Sequence, residues 1–318
     1  MTFYMSFFKV FYYNYRHSAG NCLTKKSPQS GFPGGSGYAI INRCSNGSAG
    51  ETMSTKSERY MSEGLRDFTV QVARQAGDIL LEGFRRDQAS IFLRNTAKEA
   101  ASSYDKLVDG LITAEISKAH PRHSLLTEES GYHQAGDEWL WIVDSLDGTG
   151  NFSNHNPFFS VCIALMHRGE LTLGVIYAPA LDELYLTERD KGAYLNGVKL
   201  GVSTIGDLNR NYIIYCEGGS KDRDRTGRLL QSVYPHVTDI RKFGSAGLET
   251  AWVASGRGEA YFTTAIEPWD VAAGVLLVIE AGGKVSDFRG NPWKPERGDY
   301  LFSNGRVHEP LLGLLNGK

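Results

Sequence analysis

Apolar positions recur along most of this chain at intervals that assign its elements. Leu65, Phe68, Val72, Ala76, Ile79, Leu80 and Phe84 follow mostly at steps of three and four residues, the spacing that lines one face of an amphipathic helix. A polar stretch over 85–104 comes next and holds one short strand-like run, 90–94. Val108, Leu111, Ile112 and Ile116 then predict a second helix over about 105–119, ended by Pro121. Strand patterns follow at 124–127, 139–143, 159–166, 171–178, 183–188 and 193–200. The run 139–143 is apolar throughout, as expected of a strand covered on both faces, and Asn196-Gly197 is a hairpin signal. This half reads as two helices on an antiparallel sheet. Beyond about Thr204 the pattern alternates: strand 212–216, helix 222–233, strand 237–243, helix 248–255, strand 259–263, helix 270–281 and strand 284–286. That order implies a smaller α/β half. The expected division is therefore 58–204 and 205–318, with a subdomain junction and no flexible linker between them.

Composition narrows the class. Of 318 residues, 41% are apolar and 22% charged, ordinary for a soluble globular protein, and the formal net charge is −2. Nucleic acid or an anionic membrane surface would call for a basic excess, so neither partner is expected. No apolar run approaches the 18 or more residues of a membrane span. The four cysteines, Cys22, Cys44, Cys162 and Cys216, form no C-x-x-C pair and read as reduced thiols of a cytoplasmic protein. Residues 1–57 stand apart. They are aromatic-rich at 3–15, dominated by Ser, Gly, Pro and Asn over 25–50, and expected to be poorly ordered. Lys9 interrupts the only candidate for a secretory apolar stretch. The leader reads either as an organelle-targeting segment or, the favoured reading, as sequence upstream of the true start, since Met53 and Met61 both precede the first helix.

The chemistry concentrates where the apolar strand at 139–143 runs into Asp144-Ser145-Leu146-Asp147-Gly148-Thr149-Gly150-Asn151-Phe152. Carboxylates at the end of a buried strand are costly unless something positive meets them. A hard cation such as Mg²⁺ takes oxygen ligands of this kind. Asp144 and Asp147, three residues apart across a turn, can aim at one point together with the Leu146 carbonyl, and the Gly148-Thr149-Gly150 run can turn backbone N–H groups toward an anion. Taken alone the segment is equally a surface turn. Two further acidic sites shift that balance: Thr127-Glu128-Glu129-Ser130, and Glu267-Pro268-Trp269-Asp270. Asp270 also reads as the N-cap of the helix that follows, a role compatible with ligating a metal.

Together these segments resemble the inositol monophosphatase family, whose fingerprints G-E-E-S, D-P-I-D-G-T-x-N-F and W-D-x-A-A-G occur in this order. Here they stand as 127–130, 144–152 and 269–274, with support from Gly244-Ser245-Ala246, from 280–283 and from 302–304. The resemblance covers about 62–315. It implies a layered αβαβα sandwich, a requirement for two or three Mg²⁺ ions, sensitivity to Li⁺ and a homodimer. By resemblance, Glu128, Asp144 and the Leu146 carbonyl would hold one ion, and Asp144, Asp147 and Asp270 a second. Two metals so placed activate water and neutralise the leaving oxygen. Glu128, Leu146, Asp147, Gly148, Thr149, Gly244, Ser245, Ala246, Thr263 and Asp270 would line the substrate site. Thr149, linked to an aspartate, would orient the attacking water. That aspartate lies in a D-x-V-T-x-x-D element, which aligns here with 99–105 and makes it Asp105, although Glu99 and Ser102 replace the first Asp and the Thr. Asp105 also reads simply as the cap of the helix it begins.

Other departures bear on the substrate. Ser145 stands where Pro is usual and Thr127 where Gly is usual, and Thr263 replaces the Glu that inositol-selective members use for sugar hydroxyls. The expected activity is Mg²⁺-dependent hydrolysis of a small sugar or cyclitol phosphate monoester such as inositol 1-phosphate, with fructose 1,6-bisphosphate as a second substrate. A 3′-phosphoadenosine 5′-phosphate nucleotidase or a histidinol-phosphatase-like relative is the alternative, though Asn151 stands where the nucleotidases carry Glu. A remote alternative is an inactive regulatory homologue. His123, His155 and His167 show no spacing suited to a nucleophile or zinc, and read as ordinary loop or surface residues.

Overall fold

A computed structural model describes residues 53–86, 94–217 and 223–317, with side chains from residue 63 in the first helix and from residue 98 in the second. Residues 1–52 of the leader, Cys22 and Cys44 among them, therefore lie outside the described residues, as does most of the 90–94 run, while 53–57, expected to be poorly ordered, open the first helix. Helix α1 spans Met53–Arg86 and α2 spans Arg94–Ala119. The second helix thus begins well before residue 105, so the stretch that reads as polar from sequence is largely helical. Its alanines supply the propensity, and Ala101 is fully buried.

The first sheet has eight strands: β1 (Ser124–Thr127), β2 (Gly131–His133), β3 (Trp139–Asp147), β4 (Ser160–His167), β5 (Glu170–Ala178), β6 (Glu183–Glu188), β7 (Gly192–Leu195) and β8 (Val198–Lys199). Their spatial order is β2-β1-β3-β4-β5-β6-β7-β8, antiparallel except where β1 runs parallel to β3. After the short α3 (Thr149–Ser153), the later part of the chain supplies β9 (Tyr212–Glu217), α4 (Arg223–Val233), β10 (Asp239–Arg241), α5 (Ala246–Ala254), β11 (Ala260–Ile266), α6 (Pro268–Glu280), β12 (Lys284–Asp287), β13 (Gly298–Ser303) and α7 (His308–Leu315). Its strands form a second sheet in the order β10-β9-β11-β13-β12, parallel from β10 through β11 and antiparallel beyond.

Three apolar clusters glue these elements into five layers. One lies between α1/α2 and the first sheet and takes Leu80, Ile112, Trp141 and Val143. A central one takes Leu140 and Ile142 from that sheet, Tyr261 and Phe302 from the second, and most of the apolar side chains of α5 and α6 between them. The third packs Ile213, Phe262 and Leu301 against Val233 of α4 and Leu311 of α7. The order is helix, sheet, helix, sheet, helix: the αβαβα sandwich. β3 shows why its apolar run is continuous. Trp141 and Val143 face one core while Leu140 and Ile142 face the other, as alternation requires in a doubly covered strand. Among the described residues no helix is long and apolar enough to cross a membrane.

The histidines are less ordinary than their spacing implies. His120, His123, Trp139 and His167 stack in a column, with centroid separations of 4.8, 5.1 and 3.9 Å. Trp141 Nε1 donates to His123 Nδ1 at 3.1 Å. Burial lowers the His123 pKa to about 4, so the column is apolar packing of neutral rings.

Candidate active site

The end of β3 is where the sheet stops being regular. Asp144 pairs with Cys162 and Asp147 with Ser160, and the register shifts between them, a bulge that re-aims both carboxylates. Gly148 follows with φ 88°, a left-handed conformation that lets the chain turn at once into α3. A side chain there would meet the Phe158 carbonyl at 3.1 Å and Ser245 at 3.2 Å. Asn151 pins the turn by donating from Nδ2 to the carbonyls of Phe158 (2.6 Å) and Phe243 (2.7 Å), the second of which ties it to the segment that leads into α5. A glutamate could supply neither donor.

Three carboxylates from three elements converge. Glu128 on the turn after β1, Asp144 on β3 and Asp270 in the first turn of α6 each bring an oxygen within 4.8 Å of the others. Asp144 is buried and accepts from the Leu146 N–H at 3.0 Å. Asp270 accepts from the Glu267 N–H at 3.0 Å. It is therefore the third residue of α6 and closes back on the N-cap Glu267, so the sequence reading of Asp270 as the cap itself is displaced by three positions. Burial, and then the neighbouring carboxylates, raise the pKa of Asp144 and Asp270 well above the usual range. Glu128 is an exposed residue whose carboxylate is nonetheless crowded by protein, and desolvation followed by the charge of Asp105 moves it to about 7. Mutual repulsion among hard oxygen donors is what a divalent cation relieves, so the donor set fits such an ion.

Asp147 behaves differently. Its Oδ1 accepts from the Ala246 N–H at 2.8 Å; its Oδ2 accepts from the Gly247 N–H at 3.0 Å, from the Ser160 hydroxyl at 2.8 Å and from the Ser245 hydroxyl. It caps the start of α5 from another element, and burial outweighs those donors to leave its pKa raised. It stands beside the converging three without belonging to them. Two donors expected to face substrate, Ser245 and Ala246, are engaged with Asp147, and the Gly244 N–H donates to Glu249 Oε1 at 2.9 Å. Glu249 is wholly buried with Oε2 unpaired, and burial lifts it to about 8.

The two residues expected to orient the water, Thr149 and Asp105, each bond elsewhere and not to one another. Thr149 donates its hydroxyl to the Leu146 carbonyl at 3.0 Å, while Asp105 Oδ1 accepts from the Ser145 hydroxyl at 2.6 Å. Asp105 lies inside α2, so it does not cap that helix. Burial raises its pKa to about 6 against the lowering effect of Ser145. Thr263 is fully buried on β11 opposite Cys216, its hydroxyl close to that of Tyr261 without a well-formed hydrogen bond. Sequence reasoning noted Ser145 as a departure without seeing its bond to Asp105, and missed Ser160 and Glu249 altogether. Ser160 carries a readable signal, since it opens the strand that pairs with β3.

Residues 61–316 match the model of the inositol monophosphatase family. The chain belongs to that family. It is 35% identical over 251 residues to the fructose-1,6-bisphosphatase/inositol-1-monophosphatase of Thermotoga maritima, an alignment covering 79% of this chain and 95% of that protein. It is 34% identical over 249 residues to Nus factor SuhB of Escherichia coli, covering 77% and 93%. Among solved structures, inositol monophosphatase from the cyanobacterium Anabaena (Nostoc) superposes with a TM-score of 0.70 at 32% identity, covering 80% of this chain and 96% of that one. Members of this family are phosphatases and generally metal-dependent.

Proposed function

We propose that this protein is a Mg²⁺-dependent phosphomonoesterase acting on a small sugar or cyclitol phosphate, with inositol 1-phosphate as the leading substrate. The observation that carries the reading is the convergence of Glu128, Asp144 and Asp270 at the C-terminal end of a buried strand, beside a glycine turn and a helix start. Glu128, Asp144, Asp270 and the Leu146 carbonyl would hold Mg²⁺, joined by Asp147 once it exchanges some of its present donors. Bound Mg²⁺ would supply charge neutralisation for the phosphate and a more acidic water.

The chain's own groups do the remaining work. The first N–H groups of α3, at Thr149 and Gly150, have no intrahelical acceptor and would receive phosphate oxygens. Asp105, raised toward neutrality and buried one bond away from Ser145, would accept a proton from the attacking water. The Thr149 hydroxyl would orient that water after leaving the Leu146 carbonyl. Asn151, committed to two backbone carbonyls, supports the sugar-phosphate reading over the nucleotidase one. Thr263 presents no charge to a sugar ring, and the Thermotoga maritima relative is named for fructose 1,6-bisphosphate as well. A second activity on that substrate therefore belongs to the proposal.

A phosphate-release screen with Mg²⁺, with and without Li⁺, tests it. The substrates are inositol 1-phosphate, fructose 1,6-bisphosphate, histidinol phosphate and 3′-phosphoadenosine 5′-phosphate. Release from the first two, inhibited by Li⁺, is the expected result, and a clear preference for the last would refute the assignment.

A further inference from the structure

The converging carboxylates are not held equally. Asp144 and Asp270 each accept a backbone hydrogen bond, whereas the Glu128 carboxylate takes none among the described residues. Glu128 sits on the three-residue turn between β1 and β2, and what fixes it is the far side of that turn. The Ser130 N–H donates to Thr127 Oγ1 at 2.9 Å, and the Ser130 hydroxyl donates to Asp109 Oδ2. Asp109 lies in α2 and is 2% exposed, with Oδ1 buried and unpaired. A buried carboxylate with one oxygen unsatisfied is costly, and an apolar residue would fill such a helix position more stably. One turn earlier the same helix repeats the arrangement, with Asp105 accepting from Ser145, the neighbour of Asp144. Residues four apart share a helix face. That face of α2 therefore grips both acid-bearing segments through a serine adjoining each: Ser130 two residues after Glu128, and Ser145 one after Asp144.

We propose that Asp109 and Ser130 are positioning residues that hold the 128–130 turn so that Glu128 faces Asp144 and Asp270 before any cation arrives. The inference rests on the cation-dependent reading above. A preset carboxylate acts on cation affinity, because the cost of ordering the ligand is met in the fold. Its signature is therefore weaker cation binding with turnover preserved once the cation saturates.

The test is Mn²⁺ titration of the full-length protein, by calorimetry or electron paramagnetic resonance, with the Mg²⁺ dependence of phosphate release measured in parallel. Ser130→Ala is expected to weaken Mn²⁺ binding and raise the half-saturating Mg²⁺ by about tenfold, the scale of outer-shell ligand supports. Its turnover at saturating Mg²⁺ should stay at the parent value while its melting temperature in EDTA falls, because Asp109 Oδ2 loses its donor. Ser130→Thr, which keeps the hydroxyl, should restore both the affinity and the melting temperature. Asp109→Ala combined with Ser130→Ala should bind no more weakly than Asp109→Ala alone. If Asp109→Ala does not fold, the Ser130 variants decide. Unchanged Mn²⁺ affinity in Ser130→Ala, or a fall in turnover at unchanged affinity, overturns the inference. Glu128→Gln separates the two failures. If it weakens Mn²⁺ binding while Ser130→Ala does not, only the positioning role is lost. If Glu128→Gln has no effect either, the cation reading itself fails.

Discussion

Asp144 illustrates how one side chain can serve activity against stability. It is 1% exposed, its pKa is raised first by burial and then by Glu128, Asp147 and Asp270, and among the described residues its carboxylate accepts one hydrogen bond, from the Leu146 N–H. An asparagine keeps the oxygen that accepts that bond and removes the charge. Asp144→Asn should therefore lower Mg²⁺-dependent phosphate release by on the order of 10³-fold or more, a loss of about 4 kcal/mol of transition-state stabilisation. In EDTA the same variant should melt higher than the parent, since it removes a repelled buried charge and sets an amide N–H₂ beside the Glu128 and Asp270 carboxylates, which can accept from it. Activity assays and thermal melts on one preparation check both signs. Retained activity would remove Asp144 from the site, and a lower melting temperature in EDTA would show that its charge is compensated in the fold. Asp147 makes the opposite case. With two backbone N–H groups, two hydroxyls and the Cys162 thiol around it, its removal strands them, so loss of activity in a variant there would say less about ligation.

The elements were legible in proportion to how strongly periodicity marks them. β3, the helix carrying Asp270 and the hairpin at Asn196-Gly197 follow from runs, spacing and turn chemistry, and the structure bears them out. β13 was missed because it follows a segment rich in Pro, Gly and charge, and α7 because Pro310 sits inside its first turn. The acids of the site were visible as residues, but their partners were not. Ser145 on Asp105, Ser130 on Asp109 and Glu249 beneath the 243–244 loop are pairings made only by the approach of distant elements. Gly274, read from sequence as part of a motif, has a packing reason in the central layer. A methyl group there would lie 1.9 Å from Thr250 Oγ1 on α5, and Thr250 is fully buried. Gly274→Ala gains helix propensity of about 1 kcal/mol. Overpacking of about 1–3 kcal/mol opposes it, and with the backbone of α6 held between two sheets the overpacking should win. Denaturant titration should show a net loss of up to about 2 kcal/mol, whereas an equal or higher midpoint would mean that α5 and α6 can separate at little cost.

Over the whole molecule, the raised carboxyls couple stability to pH and to cations. Asp105 moves from 3.8 to about 6, Glu128 from 4.5 to about 7 and Glu249 from 4.5 to about 8, while Asp144, Asp147 and Asp270 move in the same direction. In each case the folded state holds its proton to higher pH than the unfolded chain. Through these groups the folded protein binds more protons between about pH 4 and 8. They outnumber His123 and His308, which burial lowers to about 4 and which act in the opposite sense below about pH 6.5. Without a cation, stability is therefore expected to fall as pH rises through that window. A divalent ion prefers the deprotonated cluster, so its stabilising effect grows over the same range. Melting temperature in EDTA should drop from pH 5 to pH 8, at about 2–4 °C for each kcal/mol lost. Millimolar Mg²⁺ should raise it little at pH 5 and by several degrees at pH 8. Glu249, buried away from the three converging acids, contributes to the fall in EDTA and is not rescued, so Mg²⁺ should recover only part of the loss. A cation effect of equal size at both pH values would place the ion away from Glu128, Asp144 and Asp270. A rise in stability with pH in EDTA would mean that these carboxyls are already ionised and matched by charge within the fold.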